Sequence, residues 1–167
     1  MQKKIYVYPH HKLEEKVKEL QLNDDNVENS PYAFIDIIGT PECVRYYLDE
    51  EENTHHCFSN GHPNVLNLEF DDIGYDEFPW KGHTFHGFSD KQAEDTYKFI
   101  KENKDRTFYL ACRAGFSRSQ AIGNFINEYY KGEFESDTLL KDTLNWFVHG
   151  KLTNLAFTDF QGHGDNT

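Results

Sequence analysis

Residues 107–132 read TFYLACRAGFSRSQAIGNFINEYYKG, and the succession of residue types along this stretch decides the architecture. Thr107 to Ala111 is a β-prone run, and Ala121, Ile122, Phe125, Ile126 and Tyr129 recur at helical spacing until Gly132 closes the helix. Between strand and helix lies a short loop carrying Cys112, Gly115 and Arg118. In an open α/β sheet that is where ligands bind, beyond the carboxyl end of a strand and against the amides of the next helix.

Working outward, the same alternation recurs. Ile5 to Tyr8 reads as a strand, followed by a helix with Leu13, Val17 and Leu20 on one stripe. Ala33 to Ile38 is a buried strand ending at Gly39-Thr40-Pro41, with a helix expected from Pro41 to about Leu48 and a solvated acidic run at Asp49 to Glu52. Leu66, Leu68 and Phe70 alternate with Asn67 and Glu69, the period of a strand that ends at Asp71-Asp72. A loop rich in Gly, Pro and aromatics follows, in which Trp80 and Phe85 are expected to pack. Ser89-Asp90-Lys91-Gln92 then supplies a capping box for a helix bearing Ala93, Tyr97 and Ile100 and ending near Lys104. A last helix is expected from a Ser136 cap through Leu139, Leu140, Leu144 and Phe147 to Gly150, with Gly162 to Thr167 disordered. The expected fold is a single α/β domain over residues 1–167, with a central, mostly parallel sheet and helices on both faces.

Composition restricts the function. The 167 residues fit one domain, and 17 Lys plus Arg against 29 Asp plus Glu give a net charge of −12, which disfavours extended nucleic acid as a partner. The longest apolar run, Phe108 to Cys112, is far below the roughly 20 residues a membrane span needs. The apolar part of Met1 to Pro9 is too short for a signal sequence, so a cytoplasmic location and no membrane partner are expected. Cys43, Cys57 and Cys112 form no paired motif, and Cys43 reads as a core residue. His55, His56, Cys57 and His62 lack the paired spacing of a zinc site and read as a polar surface loop. His83 and His86 read as solvent-exposed loop residues. No metal and no cofactor are expected.

The loop after Cys112 has the chemistry of a dianion site. Successive amides bent at Gly115 cradle phosphate oxygens, Arg118 grips two of them in a fork, and the same field favours a thiolate at Cys112. From Arg106 to Asn127 there is no Asp or Glu, while Arg106, Arg113 and Arg118 put a local +3 inside an acidic protein. A Cys with Gly at +3, Arg at +6 and Ser or Thr at +7 arises by chance in about one of 2,000 chains of this composition.

Cys112 to Ser119 resembles the Cys-x5-Arg-Ser/Thr signature of the cysteine-dependent protein tyrosine phosphatases, closest to the compact dual-specificity branch. The resemblance covers roughly residues 33–131. It implies that Cys112 attacks phosphorus to form a phosphocysteine, that Arg118 and the amides of Arg113, Ala114, Gly115, Phe116 and Ser117 hold the equatorial oxygens, and that Ser119 eases departure of the sulfur. The implied substrate is a phosphorylated protein or a small phosphomonoester. Where the family usually has His before the nucleophile, this chain has Ala111, leaving Arg118, the loop amides and the helix terminus to stabilise the thiolate.

A general acid is needed for the leaving oxygen, and Asp71, Asp72 and Asp76 all follow the Leu66 to Phe70 strand. If the strand persists, alternation continues the Phe70 side to Asp72, where the resemblance also places the acid; Asp76 is the main competitor. Two other readings stand beside this one: a phosphate-binding pseudophosphatase, and the same chemistry on a nucleotide, phosphoinositide or RNA 5′ end.

Overall fold

The structure, a computed structural model, describes residues 2–41 and 55–164. The expected helix beyond Pro41, with Cys43, the acidic run at 49–52 and residues 165–167 lie outside the described residues. The elements are β1 (Lys3–Pro9), α1 (His10–Glu19), a 3-10 turn (Val27–Asn29), β2 (Tyr32–Ile38), β3 (Val65–Glu69), β4 (Glu77–Trp80), β5 (His83–His86), α2 (Asp90–Glu102), β6 (Thr107–Cys112), α3 (Arg118–Tyr129), β7 (Phe134–Glu135) and α4 (Trp146–Gly164).

Five strands form one sheet in the order β3-β2-β6-β1-β7, and every pairing in it is parallel. The strand of the quoted stretch, β6, is the central one, so its carboxyl end is enclosed by neighbours on both sides. Alternation along it sends Phe108, Leu110 and Cys112 into the core under α2, α3 and α4, and Tyr109 and Ala111 into the core under α1. Burial on both faces explains the near-continuous apolar strands. Fully buried side chains such as Phe34, Phe108 and Leu110 each stabilise the fold by about 1.5 to 3 kcal/mol relative to exposure. On the α1 side Tyr109 stacks on Tyr6 at 4.9 Å and on Phe34 at 5.5 Å, so much of that core is aromatic.

The capping box forms as expected: Ser89 Oγ accepts from the Gln92 amide and Gln92 Oε1 from the Ser89 amide. Two expectations fail. The stretch read as a loop before Ser89 contains an antiparallel hairpin, β4 with β5, turned by Lys81 and Gly82 at φ 47° and 81°, the backbone a tight two-residue turn demands. Pro79 is tolerated because the ribbon stands apart from the main sheet. Phe85 is buried as expected, whereas Trp80 is exposed and stacks on Phe78 at 6.1 Å.

The last helix is also displaced. Residues 136–145 are irregular, because their polar groups are claimed from elsewhere. Ser136 Oγ donates to the Ile5 carbonyl and Thr138 Oγ1 accepts from the Val7 amide. Gln120 bonds both the Thr138 carbonyl and the Leu140 amide, and Asn124 donates to the Leu140 carbonyl. The helix begins at Trp146, where Asn145 Oδ1 accepts from the Phe147 and Val148 amides, and it runs through Gly150 to Gly164 because Val148 and Leu152 are buried in the core. Gly162 to Gly164, expected to be disordered, therefore carry helical backbone. No described helix is long and apolar enough to cross a membrane.

Candidate active site

Cys112 is the last residue of β6, paired in register with Pro9, and is 2% exposed. The chain then wraps over it through residues 113–117 before α3 begins. The carbonyls of this loop are held from outside: Arg113 O accepts from the His10 amide, Gly115 O from Gln120, Phe116 O from Thr143, and Ser117 O from the Asn145 amide. The amides of Ala114, Gly115, Phe116 and Ser117 make no hydrogen bond to any described residue. A run of amides free of described partners beside carbonyls that are engaged elsewhere is what an anion-binding nest requires.

Gly115 makes this bend possible. Its φ is +74°, and a Cβ there would lie 2.7 Å from both Pro9 N and Tyr8 C, backbone atoms that cannot step aside. Gly115→Ala is expected to cost about 2 kcal/mol or more, combining left-handed strain with the clash. Gly132 has φ +83° but open space around it, so Gly132→Ala should cost about 1 kcal/mol. Denaturant midpoints compare the two; equal losses would remove the close-approach argument.

Around Cys112 the structure gathers most of the expected residues. Ser119 Oγ lies 3.0 Å from Cys112 Sγ. Arg118 is 8% exposed, and its Nη1 donates to the Phe70 carbonyl at 2.7 Å while its buried Nε bonds no described residue. A buried donor without a partner costs about 1 to 3 kcal/mol, a penalty an anion beside the loop would relieve. Asp72 reaches the same loop: Ser117 Oγ and Asn145 Nδ2 both donate to its Oδ1, at 2.8 and 2.7 Å.

The competing aspartates are otherwise engaged. Asp71 is buried and takes the Thr40 amide, the Thr40 hydroxyl and the His86 amide, which is structural work tying β3 to the hairpin. Asp76 pairs with Lys151 at 2.5 Å.

Other candidates disperse. Arg106 donates to the Ser30 carbonyl just before the start of β6, and a six-residue strand separates it from Cys112 by roughly 20 Å. The local +3 is thus reduced to Arg113 and Arg118. His56 Nε2 meets the Leu68 carbonyl and His62 Nε2 meets Asp24, so the His-rich loop does not converge on itself. His86 is exposed, as expected, and lies 3.9 Å from Glu77. Burial, reinforced by the charge of Asp36, pushes the Cys57 thiol up, making it a poor nucleophile at neutral pH.

Sequence reasoning missed Gln120, Thr143 and Asn145, which hold the loop's carbonyls. Only Asn145 carried a signal, as an Asn before Trp146-Phe147-Val148 at a helix start. No family model, curated protein or solved structure matches the chain.

Proposed function

We propose that the chain is a phosphomonoester hydrolase that works through a phosphocysteine, as its resemblance to the compact dual-specificity phosphatases implies. The observation that carries the reading is Cys112 Sγ with Ser119 Oγ at 3.0 Å, beside a loop whose amides from Ala114 to Ser117, like the Arg118 Nε, bond no described residue.

The steps follow from those groups. The ester dianion docks in the nest, and the Arg118 fork spreads the charge that develops on the equatorial oxygens. The Cys112 thiolate attacks phosphorus, the P–O ester bond breaks, and the leaving oxygen takes a proton from Asp72. Both donors on Asp72 converge on Oδ1, which leaves Oδ2 to deliver that proton. Water then attacks the phosphocysteine, giving a proton to Asp72, and the S–P bond breaks with Ser119 hydrogen-bonding the departing sulfur. Inorganic phosphate leaves, and every proton and electron pair is accounted for within chain, substrate and water.

Quenching a phosphotyrosine peptide reaction in denaturant during turnover should leave phosphate on the peptide containing Cys112. Vanadate should inhibit competitively, and added magnesium should not be required. Phosphate recovered on another residue would refute the phosphocysteine, and binding of vanadate with no turnover of any phosphomonoester would refute the hydrolase and leave the pseudophosphatase.

A further inference from the structure

A second cluster lies on the opposite face of the sheet, under α1, and plays no part in the steps above. His10 opens α1, Asp36 sits in β2 beside Ala111, and Cys57 comes from the loop ahead of β3. One ligand atom from each lies within 4.8 Å of the others. We propose that His10, Asp36 and Cys57 bind a borderline-soft divalent cation, zinc above all.

The separations fit one ion. His10 Nε2 is 3.4 Å from Asp36 Oδ1 and 3.9 Å from Cys57 Sγ. Tetrahedral zinc with ordinary bond lengths sets these edges at about 3.3 and about 3.6 Å. The donor set of imidazole, carboxylate and thiolate suits zinc and excludes calcium or magnesium, which take oxygen ligands.

Burial supplies the second, independent argument. The Asp36 side chain is 1% exposed; its Oδ2 accepts the Cys57 amide at 2.7 Å, while its Oδ1 accepts no hydrogen bond from any described residue. A carboxylate this deep is costly unless a cation or donors compensate it. A cation between the three groups would be held by Asp36 Oδ1, His10 Nε2 and the Cys57 sulfur together. His10 Nδ1 lies 3.1 Å from Glu14 Oε1, which places a carboxylate beside the ring nitrogen that faces away from the ion. The three protein donors leave the fourth position to water. Because the His10 amide also holds the Arg113 carbonyl, the ion would anchor one end of the loop over Cys112 from behind.

The test uses the full chain, freed of metal with a chelator and titrated with Co²⁺. One equivalent should produce a thiolate-to-cobalt charge-transfer band with four-coordinate visible bands, and Zn²⁺ should bleach both. Cys57→Ser should abolish the charge-transfer band, Asp36→Asn should weaken binding at least tenfold, and Cys112→Ser should leave the band in place. Zinc about a hundredfold above its Kd should raise the Tm of the wild-type chain by roughly 5 °C. In case the variants fold poorly, zinc should also protect Cys57 of the wild-type chain from a maleimide at an alkaline pH where the metal-free chain is labelled there, read by peptide mapping. No charge-transfer band, a band lost with Cys112→Ser but kept with Cys57→Ser, or unchanged Cys57 labelling would each overturn the site.

Discussion

Cys112→Ser is expected to reduce turnover of a phosphotyrosine peptide by about 10⁴-fold or more, while the peptide still binds. The exchange replaces sulfur with oxygen inside an unchanged cage: Gly115 keeps the bend, the carbonyls of residues 113, 115, 116 and 117 stay tied outward, and Arg118 stays anchored on the Phe70 carbonyl. What is lost is the nucleophile. A serine hydroxyl at this position has Ser119 beside it and no histidine base within the described contacts, so nothing takes its proton. Steady-state rates and calorimetric binding of the peptide separate the two effects. A variant that retains a tenth of the wild-type rate would end the phosphocysteine mechanism.

Asp72→Asn is expected to slow the same peptide by about 10²- to 10⁴-fold, the usual range for lost proton transfer. An aryl phosphate with an activated leaving group should slow far less, because that oxygen departs without a proton. Asparagine keeps an oxygen to accept from Ser117 and Asn145, so the loop contact that positions the side chain survives. Asp76→Asn should leave both substrates nearly unaffected, since it breaks only an exposed pair with Lys151. Asp71→Asn should lower stability by loosening Thr40 and the His86 amide, and slow both substrates alike. If the selective loss on the peptide appears in Asp76→Asn and not in Asp72→Asn, the acid has been misassigned.

The α/β order, the Ser89 capping box and the strand–loop–helix frame around Cys112 were legible because each depends on neighbours within a few residues: period two in β6, period 3.6 in α3, a cap at a fixed offset. The spacing from Cys112 to Arg118 and Ser119 was legible for the same reason, since a loop of this length ending in a helix brings those side chains over the strand end. Alternation reached Asp72 only if the strand persisted, and β3 ends at Glu69; the contacts that bring Asp72 to the loop come from Ser117 and Asn145, 45 and 73 residues away.

Where a segment's polar groups find distant partners, local pattern lost its authority. Ser136 looked like a helix cap and instead bonds Ile5, because β7 lies beside β1 and the buried Gln120 and Asn124 claim the backbone that follows. Arg106 counted toward a basic loop in the sequence, yet a strand's length carries it to the far end of the sheet. Cys57 appeared among neighbouring histidines and meets none of them; it meets Asp36 and His10, 21 and 47 residues away. Periodicity encodes which face a residue takes, because it is a property of one element's geometry. Which residues meet across elements is set by the order β3-β2-β6-β1-β7, and that order follows from burying both faces of the whole sheet at once.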